Sequence, residues 1–182
     1  MEQARVTQAP ERLRWGVELL SPEPSDALLE IGCGRGVAAV LLSELLTTGS
    51  IVGIDRSEKA IDAARLANAA AVAQGRASFR LMAFEERIPA GRAFDRVLAV
   101  NVNRFWQTEA DESAVWKGIL KQNARIVLVY ESPPGSSAER MITGGRRYFA
   151  ASGFDEVAVS NHPERANLAG IIARWPHPEP PR

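Results

Sequence analysis

Three glycines at alternate positions, Gly32, Gly34 and Gly36, stand between an acid, Glu30, and a second acid further on, Asp55. Glycine is costly inside regular structure and useful where backbone turns sharply or approaches something closely. Here the apolar run 27–31 precedes the glycines, and Val37, Val40, Leu41 and Leu45 follow at helical spacing. The glycines therefore mark a strand-to-helix turn. Such a turn offers unpaired N–H groups and the partial positive charge of a helix N-terminus, which makes it a ligand site. A dinucleotide fingerprint would need a third glycine where Val37 stands, and the Gly-Lys-Ser/Thr of a phosphate loop is absent. Glu30 would repel a pyrophosphate but suits an ammonium or sulfonium group. Asp55 closes the next apolar run, a position where an acid accepts ribose hydroxyls in a doubly wound sheet. The pattern asks for a ligand with a cationic group, a carboxylate and a ribose.

Positioning these residues takes an alternating architecture. An opening helix is expected over 10–20, a proline-rich loop at 21–26, strands at 27–31 and 50–55, and a helix from Gly36 to about Thr47. Ser57 N-caps a long alanine-rich helix ending near Gly75. Strands follow at 78–83 and 94–100, separated by a turn at 88–93. A helix over 109–122 leads to a strand at 124–131, and another over 136–153 is expected to break at Gly144 and Gly145. Two strands, 154–160 and 167–175, close the domain. Short β-rich runs alternating with helical patterns indicate a mostly parallel sheet covered on both faces. The whole chain, 1–182, reads as one domain, with 1–25 as opening helix and loop and 176–182 as a loose tail.

The segments LLEIGCGRG, VGIDRSEKAIDAAR, FDRVLAVNVNRFW and ILKQNARIVLVYESPP, in that order, resemble the motifs of class I S-adenosylmethionine-dependent methyltransferases. The resemblance spans roughly Trp15 to Trp175. It implies a three-layer, Rossmann-like, doubly wound α/β fold whose seven-stranded, mostly parallel sheet has an antiparallel last strand. It also implies methyl transfer from S-adenosyl-L-methionine, with S-adenosyl-L-homocysteine as product. Carried over residue by residue, Glu30, Gly32, Cys33 and Gly34 would surround the methionine part of the cofactor. Asp55 would bind the ribose hydroxyls, Arg56 would lie along the adenine, and Asn101 would close the site. Ala83 stands where the family often has an acid for the adenine amino group. Backbone groups of Ala83 and Phe84, or the carboxylate of Glu85, are the expected substitutes. Phe105 and Trp106 are candidates for an acceptor wall, and Glu131 for a catalytic base, against the alternative of a solvated turn acid.

Composition narrows the partners. Lys plus Arg and Asp plus Glu are 22 each, so the formal net charge is zero. A protein that lives on nucleic-acid backbones usually shows a basic excess, so no nucleic acid is expected. Cys33 is the single cysteine, which excludes an internal disulfide, and it reads as a small filler rather than a nucleophile. No apolar run approaches a membrane span and no leader is recognised, so a cytoplasmic chain is expected. The two histidines, His162 and His177, are expected to be solvated, and no metal site is expected. The acceptor is expected to be a small, partly apolar molecule methylated on O or N, bound by a monomer or a homodimer. The rival readings are a non-catalytic S-adenosylmethionine-binding accessory module and a nicotinamide-dependent oxidoreductase.

Overall fold

The computed structural model describes residues 9–84 and 93–176, apart from the side chain of Glu156. Most of the turn expected at 88–93, together with Glu85 and His177, lies outside these residues. The elements run α1 (Glu11–Leu20), β1 (Ala27–Ile31), α2 (Val37–Leu45), β2 (Ser50–Asp55), α3 (Glu58–Ala67), α4 (Ala69–Ala73) and β3 (Ala77–Leu81). They continue β4 (Phe94–Val100), α5 (Arg104–Gln107), α6 (Ser113–Ile119), β5 (Leu120–Glu131), α7 (Glu139–Ala151), β6 (Asp155–Asn161) and β7 (Leu168–Arg174).

The seven strands form one sheet in the order β3-β2-β1-β4-β5-β7-β6. Pairings from β3 through β5 are parallel, while β7 runs antiparallel to both β5 and β6. This is the expected mostly parallel, doubly wound sheet with its last strand reversed. Strand order reverses between β1 and β4, where the crevice at the carboxyl ends of the strands is the ligand position in such sheets.

Alternate residues feed two cores. Leu29, Ile31, Ile54, Val97, Ile126 and Leu128 face an aromatic layer from α5, α6 and α7 that includes Phe105, Trp116, Tyr148 and Phe149. Leu28, Ile51, Leu98, Val127 and Val129 face α1, α2 and α3 through Trp15, Leu20, Leu42 and Ile61. Both faces are covered, so the strands read as nearly continuous apolar runs.

Four local expectations are corrected. The long helix after Ser57 is two helices, because the buried Asn68 amide donates to Gly36 O at 3.0 Å and Ala64 O at 2.9 Å. A side chain that bonds nearby carbonyls competes with the helical ladder. The helix expected over 109–122 is confined to Ser113–Ile119, since β5 already begins at Leu120. The β4–β5 register shifts between Phe94 and Arg96, and Asn123 takes φ 58° in the irregular start of β5. Residues 104–107, read as loop, form a helical turn. Finally, α7 runs unbroken through Gly144 and Gly145. A Cβ at Gly144 would clash with Trp106 O, so that glycine serves the close approach of α5, while a Cβ at Gly145 would meet Ile171 Cδ1 at 2.5 Å, so the second serves the packing of α7 on the sheet.

Candidate functional site

β1 leaves the sheet at Ile31 and the chain folds over its own end. Gly32, Gly34 and Gly36 take φ of 69°, 52° and 75°, a region that L side chains seldom adopt. The turn is stitched to β2, with Gly32 N and Cys33 N donating to Ile54 O at 2.8 and 3.0 Å. Each glycine has its own reason. A Cβ at Gly36 would meet Asn68 Nδ2 at 2.6 Å and Ala64 at 2.9 Å, so the third glycine lets α3 pack on the turn. At Gly34 a Cβ would meet nothing within 4 Å, so the backbone there faces open space.

Asp55 closes β2 and bridges back to that turn. Its Oδ2 accepts from Gly34 N and its Oδ1 from Ser57 N, each at 2.9 Å. A carboxylate has about four acceptor positions, so both oxygens keep capacity for a ligand. The turn and Asp55 thus form one rigid rim.

That rim opens on a cavity of about 600 Å³ at the carboxyl ends of β1, β2 and β4. Of the residues named as cofactor candidates, Gly32, Asp55, Arg56, Ala83, Phe84 and Asn101 line it. Cys33, Gly34 and Glu30 do not. Cys33 is buried and packed towards Gly53, where a Cβ would lie 3.0 Å from its Sγ. Burial, reinforced by Glu30 and Asp55, pushes its thiol far up, which makes it an inert filler.

Glu30 is 3% exposed, and its Oε2 has no hydrogen-bond partner. Burial raises its carboxyl to about 8, with the Asp55 charge adding and an Ala39 N–H bond opposing. The expected carboxylate beside the ligand is therefore an enclosed acid, whose burial favours the protonated form.

Asn101 takes φ 56°, and the residue is secured from both sides. Its N–H donates to Val129 O at 2.8 Å, and its Oδ1 accepts from Glu131 N at 2.8 Å. Beyond it, Arg104, Gln107 and Thr108 also line the cavity, along with Val102 and Asn103. The expectations missed this wall because 104–107 was not read as helical. The spacing 104, 107, 108 puts those three on one side of a helical turn.

The same turn holds the two residues expected as an acceptor wall. Phe105 is fully buried, with its ring centroid 5.3 Å from that of Phe84 and 5.2 Å from that of Tyr148. Trp106 donates its indole N–H to Asn103 Oδ1 at 3.2 Å and carries the Arg140 guanidinium 5.3 Å above its ring. Neither lines the cavity.

Glu131 is neither a free base nor a solvated acid. Its Oε2 is 3.0 Å from Arg12 and its Oε1 2.6 Å from Arg165, and its side chain is only 17% exposed. His162, expected in solvent, packs edge-on against Trp15 at 5.2 Å, with Nε2 3.4 Å from Glu11 Oε1. Among the described residues no cluster of His, Cys, Asp and Glu could hold a metal ion, and no helix is long and apolar enough to cross a membrane.

These features fit S-adenosylmethionine. Gly32 at the turn, where positive φ keeps the backbone free of a side chain, and Asp55, a carboxylate with spare acceptor positions, line the cavity together and match its methionine and ribose parts. Fold and site together define a doubly wound domain that binds a nucleoside cofactor at the switch between β1 and β4. A family model described as a methyltransferase domain matches residues 22–147, and the chain belongs to that family, the class I S-adenosylmethionine-dependent methyltransferases.

The nocamycin O-methyltransferase of Saccharothrix syringae is 31% identical over 157 residues, covering 85% of this chain and 55% of that protein. The chain thus spans about half the length of the curated relative it matches. The S-adenosylmethionine-dependent O-methyltransferase of Thermotoga maritima superposes with a TM-score of 0.73 at 13% identity, covering 94% of this chain and 67% of the other. The geranyl diphosphate C-methyltransferase of Streptomyces coelicolor, solved with S-adenosyl-L-homocysteine, gives 0.70 at 12% identity, covering 90% and 74%. At such identities the two structures establish the fold.

Proposed function

We propose that the protein transfers the methyl group of S-adenosylmethionine to an oxygen of a small molecule. The observation that carries this is the rim formed by the Gly32–Gly36 turn and Asp55, opening on a cavity at the strand-order reversal. The 31% identity to an O-methyltransferase favours oxygen over nitrogen as the atom modified.

When bound, the cofactor supplies a methyl group already activated by its sulfonium, so the chain need not provide a strong nucleophile. Asp55 takes the ribose hydroxyls on acceptor positions its two backbone bonds leave free. Arg56 and Phe84 would hold the adenine, in the cavity that Arg104, Gln107 and Thr108 also line. Glu30 answers the cationic end of the ligand from beneath the turn. Asn101 holds the end of β4 against β5, fixing the cofactor side relative to the acceptor side. Orientation of this kind supplies roughly 7–11 kcal/mol of barrier reduction in well-aligned systems.

The protein works in the cytoplasm, as a monomer or homodimer, without a nucleic-acid partner. Calorimetry with S-adenosylhomocysteine and NADH, followed by methyl transfer from labelled S-adenosylmethionine across a metabolite library, tests the reading. Binding of NADH but not S-adenosylhomocysteine would refute it. Tight cofactor binding without turnover on any acceptor would point to an accessory module.

A further inference from the structure

A second cavity, of about 400 Å³, lies next to the first and is lined by Glu131, Ser132, Pro133, Pro134, Arg165 and Asn167. It sits at the carboxyl end of β5, where the loop between β6 and β7 folds over. Asn167 Nδ2 donates to Ser132 O at 2.7 Å, which fastens that loop to the strand end. One bond separates the two cavities. Asn101, which lines the first, accepts from the N–H of Glu131, which lines the second.

The charges here are unbalanced. Two guanidiniums share the single carboxylate of Glu131: Arg165, from the β6–β7 loop, lines the cavity and stands 2.6 Å from it, and Arg12, from α1, reaches it at 3.0 Å from outside that lining. Both arginine side chains are partly open to solvent, at 35% and 41%. Each keeps N–H donors beyond the one directed at Glu131. The cluster therefore holds one carboxylate and has charge and donors for a second. Pro133 and Pro134 add an apolar surface beside it.

The acids of the site give a second, independent constraint. Asp55 has both oxygens on backbone N–H groups, Glu131 has both on arginines, and Glu30 is enclosed. Both carboxylates among the described residues that line the two cavities are thus already engaged by N–H donors, and an acceptor oxygen that arrives ionised needs neither as a base.

Resting on the methyltransferase reading above, we propose that the second cavity seats the acceptor and that the methylated group is a carboxylate, held by Arg165 and Arg12. One carboxylate oxygen stays on the guanidinium and the other faces the first cavity. That oxygen forms the new O–C bond while the S–C bond of the sulfonium methyl donor breaks and its electron pair remains on sulfur. The products are a methyl ester and a neutral thioether, and no proton has to leave. Glu131 is a positioning residue that orients the two arginines.

The test uses the full chain saturated with S-adenosylhomocysteine and follows the arginine side-chain N–H resonances by NMR. Phenylacetate and 2-phenylethanol, one skeleton with and without the carboxylate, are titrated into the millimolar range. Phenylacetate is expected to shift the Arg165 and Arg12 resonances, and 2-phenylethanol to leave them in place. Arg165→Gln and Arg12→Gln, each checked for folding by its amide spectrum, are expected to weaken the phenylacetate response about tenfold, as the loss of a charge-assisted hydrogen bond implies. Equal responses to both probes, no response, or an unaltered response in both variants would overturn the proposal. Calorimetry with S-adenosylhomocysteine on the same sample separates the two levels. Failure there refutes the methyltransferase reading itself, whereas cofactor binding with no carboxylate response refutes only the acceptor class.

Discussion

Replacing Glu30 by Gln reads out whether the acid beneath the glycine turn is neutral. The carboxyl is buried with one oxygen unpartnered, and it ionises near 8 in the fold against an ordinary value of 4.5. Below 4.5 both folded and unfolded chains hold the proton, and the associated stability is fully present. Between 4.5 and 8 the unfolded chain has released it and the folded chain has not, so stability falls as pH rises. The loss across that window is at most about 5 kcal/mol, and relaxation around the group lowers it. Glutamine has nearly the same shape and cannot ionise, so Glu30→Gln escapes that slope. Thermal unfolding of both proteins without ligand, from about pH 5 to about pH 9, makes the comparison and cancels all other titrations. Near the low end the variant should match or fall slightly below the parent, since its amide needs a partner there. Near the high end it should melt higher. If about 2 kcal/mol of the effect is realised, the gain is roughly 4–8 °C for a domain of this size. A melting difference that stays constant across the range would refute the argument and show Glu30 to be ionised throughout.

The same group should report the cofactor. Cationic S-adenosylmethionine above the turn favours the ionised form, so binding at pH 7 should release close to one proton, seen by calorimetry in buffers of different ionisation enthalpy and absent in Glu30→Gln. Asp55→Ala removes a carboxylate bonded to Gly34 N and Ser57 N and should weaken S-adenosylhomocysteine binding about ten- to hundredfold, from about 1.5–3 kcal/mol per charge-assisted bond. Gly144→Ala improves helix propensity on paper, yet its Cβ would clash with Trp106 O, so denaturant unfolding should show a loss of about 1–3 kcal/mol. Phe105→Ala empties a fully buried ring site and should cost about 3–5 kcal/mol by the same measurement. A loss in transfer without a loss in stability would return Phe105 to the acceptor side.

What the sequence disclosed and what it withheld divide along one physical line. The glycine turn was legible because positive φ at 32, 34 and 36 demands that residue type locally. Asp55 was legible because strand period and the position of β2 beside β1 put its side chain at the rim. Apart from the short turn at 104–107, the missed features depend on segments brought together from afar. The pair Gly144–Gly145 looked like a break in α7 because sequence alone does not reveal that Trp106 O presses on the first and Ile171 on the second. Glu131 looked like a free acid because its partner Arg12 lies 119 residues away, and His162 looked solvated because Glu11 lies 151 residues away. Glu30 was legible as an acid beside the turn but its enclosure was not, since its desolvation comes from the packing around the turn. The rim of the first cavity is built from chain around β1 and β2, with local signatures. The acceptor side proposed above would be assembled from α1, the end of β5 and the β6–β7 loop, three segments with no common motif. A site whose specificity resides in long-range ion pairs can change its acceptor by exchanging one arginine while every motif in the chain remains intact.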